Sequence, residues 1–329
     1  METPGYFLTL ITFPLILRQA SATDKWCYDS QDINCGPAHW KDVNHNCGGE
    51  NQSPINFDWT RMRRDQNLGG ITFQGYDRAP PGMWRLMNNG HSVLVQLEGE
   101  TVIWNMNISG GGLPNIFQVL QFHFHWGSPT SNGSEHTVGG NQYPMELHIV
   151  HLSVKYQSIA DAMKDPSGLA VLGFFFTIAE ADNPNYNTIL AGLKNVSSEG
   201  NFVDLEPTFR LDSLLPSTNK LTRYYRYQGS LTTPDCEEAV IWTVFEDTIP
   251  ISCAQLKVFM DTVHFGAIGE TPVKMRNNFR PPQPLKNRKV YASKDAIINH
   301  SAPVHVDWLT LVFLLLLGHI GALRVRSGP

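Results

Sequence analysis

Residues 121–126 read Gln-Phe-His-Phe-His-Trp, and this strict alternation constrains the chain more than any other segment. In an extended strand, successive side chains point to opposite faces. His123 and His125 therefore share one face, while Phe122, Phe124 and Trp126 share the other. The same two-residue step recurs about two dozen residues later in Glu146-Leu147-His148, which predicts two paired strands joined by a long loop. Three imidazoles converging from such a sheet suit a tetrahedral Zn²⁺ with its fourth position open to water, the catalytic arrangement; a closed structural site takes four protein ligands. A His-x-His pair alone is as readily two hydrogen-bonded strand histidines. The flanking residues decide between these readings, because metal-bound His donates its second ring N–H to an oriented acceptor. Gln121 and Glu146 each sit two residues before a candidate ligand, on that ligand's own face. A Glu within an apolar strand is costly without such a partner.

From about Trp26 to Tyr291 the chain resembles the α-class carbonic anhydrases. The motifs that carry the resemblance include Gly36-Pro37-Ala38-His39-Trp40, Gln52-Ser53-Pro54-Ile55-Asn56, Asn88-Asn89-Gly90-His91 and Gln121-Phe122-His123-Phe124-His125-Trp126-Gly127. Gly133-Ser134-Glu135-His136, Glu146-Leu147-His148-Ile149-Val150-His151, Gly229-Ser230-Leu231-Thr232-Thr233-Pro234 and Phe279-Arg280-Pro281-Pro282-Gln283-Pro284-Leu285 follow in the family's order. Within that class it resembles the membrane-attached, extracellular, disulfide-forming type IV-like group. The implied fold is mainly β with short peripheral helices: one domain built on a large twisted, mostly antiparallel sheet.

The residues themselves point the same way. Stretches 92–97, 101–106, 119–126, 145–156, 170–178 and 239–245 are rich in β-branched, aromatic or alternating residues. Helical patterns are fewer: 187–193, 211–215 and 252–263, where Ser252 is placed to cap. Net charge is −5 and composition is ordinary for a globular protein, so no nucleic-acid partner is expected.

The ends read as targeting segments. Residues 1–22 are expected to form a secretory signal, with an apolar run from Tyr6 to Leu17 and Ala20-Ser21-Ala22 as the cleavage site, although Glu2 makes the leading region atypical. The catalytic domain is expected over 23–293, a linker and attachment region over 294–302, and a hydrophobic C-terminal signal over 303–329. The apolar stretch Trp308 to Leu323 is marginal for a ~30 Å hydrocarbon core. With the small, polar residues before it, it reads as a signal for a glycosylphosphatidylinositol (GPI) anchor at Ser301 or Asn299. The alternative is a short single-pass helix stopped by Arg324 and Arg326. Either places the domain on the outer face of the plasma membrane.

All five cysteines lie in the mature region, where an oxidising compartment favours bridges but spacing leaves the pairing open. The resemblance implies Cys27–Cys35 and Cys47–Cys236, leaving Cys253, which is expected to be a buried small hydrophobe. Asn107, Asn132 and Asn195 are the preferred glycosylation sequons. Asn51 is the poorest because Pro54 follows its Ser.

The resemblance implies reversible hydration of CO₂ to bicarbonate, with Zn²⁺ on His123, His125 and His148. Three neutral imidazoles leave the ion's charge undiluted, which lowers the pKa of a bound water to ~7. Thr232 would accept a hydrogen bond from the attacking hydroxide and donate its own to Glu135, so orienting the hydroxide, and Thr233 would touch substrate or the deep water. Val150, Val171, Leu231 and Trp242 would form the apolar wall for CO₂; Val150 also lies on the same strand face as His148. His91 would relay the proton, since an ordinary His titrates near 6.5, with Tyr28 and Asn89 ordering the connecting waters. Leu94 departs from the polar residue that several fast members carry there. Gln121, Glu146 and the Asn278 carbonyl would orient the ligand histidines. Expected partners are CO₂ and bicarbonate, the membrane through a GPI lipid, neighbouring bicarbonate or proton transporters, and sulfonamide and anion inhibitors. Two competitors stand beside the enzyme: a catalytically silent binding ectodomain, opposed by the intact ligand set, and a zinc peptidase, opposed by the lack of a His-Glu-x-x-His helix.

Overall fold

A computed structural model describes residues 26–98, 106–217, 220–266 and 272–298. Of their strand-forming stretches, Asn56–Phe57, Thr137–Val138 and Asn141–Gln142 form a separate three-stranded sheet, while most assemble into one 12-stranded sheet. From edge to edge its main path runs Phe202–Leu205, Met83–Asn88, Val93–Glu98, Phe117–Trp126, Met145–Ser153, Leu169–Ala179, Val240–Ser252, Tyr224–Gly229, Val290–Ala292 and Met62–Arg64. Ile71–Gln74 and Asn107–Gly110 extend it off Phe117–Trp126. Pairing within it is antiparallel except between Leu169–Ala179 and Val240–Ser252, and between Val290–Ala292 and Met62–Arg64. The sheet is therefore mixed, with antiparallel neighbours in the majority.

Period-two alternation explains how the sheet carries two cores. Phe122, Phe124, Leu147, Ile149, Leu172 and Phe174 enter one large apolar cluster. Val150, Val171, Phe175, Trp242 and Val244 enter a second on the opposite face. The central strand Leu169–Ala179 is buried along its first eight residues, as a strand covered on both faces must be.

Most expected elements are present with shifted ends. The 239–245 strand continues to Ser252, pairing its far half with Phe176–Ala179, and the 145–156 strand stops at Ser153. The helix Asn187–Leu193 is as expected, while 211–215 makes only a 3-10 turn, Leu211–Leu214. Ser252 caps the helix Cys253–Thr262 by a capping box: its Oγ accepts the Gln255 N–H, and Gln255 Oε1 accepts the Ser252 N–H.

Two expectations need correction. Cys253 is unpaired but exposed, not buried. It opens the first turn of its helix, ahead of Gln255, Leu256, Phe259 and Met260, which make the contact with the core. Residues 294–298, expected to begin a linker, stay docked on the domain: Ala296 is buried and the Ile297 N–H donates to Glu246 Oε1 at 2.7 Å. The leader 1–22, the strand over 101–106 apart from Met106, Asn299, Ser301 and the tail 303–329 lie outside the described residues. Among the described residues no helix is long and apolar enough to cross a membrane.

Cys27–Cys35 and Cys47–Cys236 are bridged. The second bridge closes a loop of 189 residues and ties an N-terminal turn to the segment after Thr233, where the Cys236 N–H donates to the Thr233 carbonyl at 2.8 Å. Loop-closure entropy sets its stabilisation at up to about 5 kcal/mol. Replacing Cys47 and Cys236 together by Ser should lower the unfolding free energy by several kcal/mol in a denaturant titration. An unchanged midpoint and slope would refute this.

Candidate metal centre and its cavity

His123 and His125 project from Phe117–Trp126, and His148 from its antiparallel neighbour, with His148 opposite His123 and Glu146 opposite His125. One ring nitrogen of each histidine is already committed. His123 Nδ1 donates to Gln121 Oε1 at 2.9 Å, His125 Nδ1 to the Asn278 carbonyl at 2.7 Å, and His148 Nε2 to Glu146 Oε1 at 2.7 Å. The other nitrogens face a common point, with candidate ligand atoms within 4.8 Å of one another. His125 Nε2 is buried and has no hydrogen-bond partner, a costly condition for a polar atom unless an ion takes it. Burial, reinforced by the neighbouring rings, holds His123 well below the usual histidine range and His125 down to about 3. Both are thus neutral, the form that ligates a metal. The donor set and its uncommitted nitrogens fit a tetrahedral divalent ion.

His136, Glu146 and His148 form a second close cluster, but its lone pairs are spent internally. Glu146 Oε1 accepts from both His136 Nδ1 and His148 Nε2, each at 2.7 Å, and Oε2 accepts the N–H groups of Glu135 and His136 at 2.8 and 2.9 Å. Burial alone would raise the Glu146 pKa; His136 and His148 outweigh it and hold the group ionised, well below the usual carboxylate range. His136 Nε2 lies 2.7 Å from the Tyr227 hydroxyl, itself 2.8 Å from Ser53 Oγ.

Glu135 is buried beside the centre. Its Oε1 accepts the Arg280 N–H at 2.8 Å, while Oε2 lies 3.4 Å from His125 Nε2 and has no hydrogen-bond partner. Burial raises its pKa well above the usual range, against the Arg280 N–H and the adjoining Thr232 hydroxyl, which lower it. The Arg280 guanidinium, pushed down to about 10 by burial, bonds Gln52 Oε1 and the carbonyls of Ser53 and Cys47.

The centre opens into a cavity of about 380 Å³ whose lining includes His123, His148, Thr232 and Thr233. Val150, Val171, Leu231 and Trp242 all line it, as does Leu120. Leu120 is present because of a bulge. Val150 pairs with Gln121 and His151 with Val119, so Leu120 is the extra residue, and adjacent Leu120 and Gln121 both reach the cavity. Gly173 stands opposite His148; a Cβ there would lie 3.3 Å from Glu146 Oε1 and 3.1 Å from Val244.

Gln121, Glu146, Asn278, Glu135, Thr232 and the three histidines are thus gathered at one centre. His151 is not: it faces the other core, with Nδ1 bonded to the Ala170 carbonyl and Nε2 2.6 Å from the Tyr76 hydroxyl. Leu94 pairs with His123 in register. Asn89 Oδ1 accepts the N–H groups of His91 and Ser92 at 3.0 and 2.8 Å, so its amide shapes the turn that presents His91. Tyr28 is buried with its hydroxyl unpartnered. Sequence reasoning assigned no role to His136, Tyr227, Arg280, Gly173 or Leu120. The first and third stood within noted motifs, and a buried Arg or His there was the available signal. The bulge leaves no mark in the residue pattern.

The His91 ring stacks on Trp26 at 3.7 Å between centroids, and burial pushes its pKa down to about 4. Uncovering the ring relieves the penalty on its charged form. Trp26→Ala should therefore raise the His91 pKa toward ~6.5, read from the pH dependence of its ring-proton NMR shifts. A midpoint left near 4 would show that Trp26 is not the cause.

The chain matches the eukaryotic-type carbonic anhydrase family over residues 35–294. It is 46% identical to Carbonic anhydrase 15 of Mus musculus over 326 residues, 97% of this chain and 98% of that one. It is 36% identical to Carbonic anhydrase 4 of Oryctolagus cuniculus over 274 residues, covering 82% and 85% of the two chains. Against Carbonic anhydrase 4 of Rattus norvegicus it is again 36% identical, over 276 residues, with 82% and 84% covered.

Proposed function

The chain belongs to the eukaryotic-type carbonic anhydrase family, and from that premise we propose that it hydrates CO₂ reversibly to bicarbonate and a proton, using zinc held by His123, His125 and His148. The observation that carries this reading is the convergence of three uncommitted imidazole nitrogens beside an apolar-walled cavity. Bound there, zinc supplies a Lewis acid that lowers the pKa of a coordinated water to ~7.

The chain's own residues do the rest. Gln121, the Asn278 carbonyl and Glu146 fix ring orientation and tautomer, so each free nitrogen points inward. Thr232 sits between the cavity and the Glu135 carboxylate. Its hydroxyl donates to that carboxylate, which leaves its oxygen as an acceptor toward the cavity and discriminates against groups with no proton to donate. Thr233 contacts substrate. Val150, Val171, Leu231 and Trp242 offer CO₂, which is apolar, a surface free of competing charge. His91 takes the released proton toward buffer, and Tyr28 holds water on that route through its unpartnered hydroxyl. While stacked on Trp26 the His91 ring accepts a proton poorly near neutral pH, so relay requires the ring to leave the stack.

We place the domain outside the cell on a GPI lipid, a location supported by the two disulfides and by the apolar C-terminal sequence. Asn195 is exposed and suits a glycan, whereas the Asn51 amide nitrogen is engaged by Glu238 at 2.9 Å.

Purified protein should contain one zinc per chain and hydrate CO₂ in stopped-flow assays. An aromatic sulfonamide should abolish that activity, and so should chelation, with recovery on adding zinc. Stoichiometric zinc without hydration would favour the silent ectodomain; no bound metal would overturn the reading altogether. On cells, a phosphatidylinositol-specific phospholipase should release the activity into the medium. Retention after treatment would establish the single-pass alternative.

A further inference from the structure

The sheet face opposite Trp242 carries a second cavity, of about 500 Å³, beneath Tyr224–Gly229, Val240–Ser252 and Val290–Ala292. Register places Arg226 opposite both Thr243 and Tyr291, so these side chains share one face, and Ile241 and Lys289, two residues along, share it too. The apolar part of the lining is Leu68, Ile241 and Tyr291; its cations are Arg226, Arg288 and Lys289.

Arg226 is the unusual member. It is 7% exposed, and its Nε donates to Thr243 Oγ1 at 3.0 Å. Its Nη2 is buried with no hydrogen-bond partner. A buried guanidinium is ordinarily paired with a carboxylate, yet Arg226, Arg288 and Lys289 make no ion pair within 4.0 Å among the described residues. Arg288 is held by backbone carbonyls, those of Leu285, Gln228 and Pro284 at 3.2, 3.3 and 2.9 Å. That fixes its position, and its guanidinium lies over the Tyr227 ring, 5.6 Å from the centroid. Asp65, the carboxylate in the lining, turns its Oδ1 to the Asn67 N–H at 2.9 Å.

The geometry points to a binding site for a small organic monocarboxylate, its carboxylate on the Arg226 guanidinium and its apolar body against Leu68, Ile241 and Tyr291. Phosphate or sulfate would satisfy the cations and leave the apolar wall wet. A neutral apolar molecule would leave Nη2 unpaired. Only a ligand with one anionic end and an apolar remainder meets both halves of the lining. The site lies across the sheet from the proposed zinc cavity and does not depend on it.

Benzoate is the probe, with benzamide as its uncharged isostere. Carboxylates also meet zinc, so the titration is done on full-length protein saturated with an aromatic sulfonamide. Benzoate should bind at one site per chain in calorimetry and shift NMR resonances of Arg226, Lys289 and Tyr291, while benzamide does neither. Arg226→Gln should weaken benzoate at least about 10-fold, the loss expected for a charge-assisted contact, and leave sulfonamide affinity unchanged. Lys289→Ala, at an exposed position, should weaken it less. Absence of saturable binding overturns the site, as does equal affinity for benzamide or in Arg226→Gln. If Arg226→Gln loses sulfonamide affinity through misfolding, a crystal of the wild type soaked in benzoate decides. Density against Arg226 upholds the proposal, and an empty cavity ends it.

Discussion

One buried carboxylate organises the centre. Glu146 has no solvent contact, yet it stays ionised because both oxygens are fully engaged, two imidazole N–H groups on one and two backbone N–H groups on the other. Charge-assisted hydrogen bonds offset a desolvation cost that an unpaired carboxylate could not bear. Through one oxygen Glu146 sets the tautomer of His148. Through the other it anchors the backbone that carries Glu135 into position beside His125. The ligand set and the neighbouring carboxylate are therefore coupled through a single side chain, and Gly173 opposite His148 leaves it the room it needs.

Much of this centre was legible from residue order. Alternation alone placed His123 and His125 together and sent Phe122, Phe124 and Trp126 to the far core. A Glu in an apolar strand announced a buried partner. Family resemblance supplied the residues that periodicity is blind to: Thr232, Glu135 and the cavity wall stand far apart in the chain, and nothing local marks them. What neither route reached has a common cause. The Leu120 bulge, the Arg280 clamp and the His136–Tyr227 contact are set by long-range register and packing. Local pattern carries no information about which oxygen a distant guanidinium will find. The Cys253 expectation failed for a related reason: a small thiol is usually buried, but its position in the first turn of a helix decides exposure, and that depends on where the helix meets the core.

The sheet also separates two electrostatic problems. On the face that carries His123, His125 and His148 the charges are few and internally matched, so the cavity wall stays apolar. On the reverse face Arg226 sits without a carboxylate partner, its Nε bonded to Thr243 Oγ1 and its Nη2 unmet. A residue on Val240–Ser252 thus answers to one environment or the other according to parity: Trp242 borders the cavity beside His123 and His148, while Ile241 lines the cationic one and Thr243 bonds its Arg226.

The bulge at Leu120 bears on how this strand tolerates insertions and deletions over evolutionary time. Removing a residue anywhere from 122 to 125 would invert part of the strand and turn a histidine of the cluster into the hydrophobic interior. Removing Leu120 would merely rejoin two segments already in phase with their neighbour, sparing the ligands and shaving one wall of the cavity. A change of length in this stretch therefore has a permissive address at Leu120, one that would reshape the cavity wall while leaving the three histidines in register.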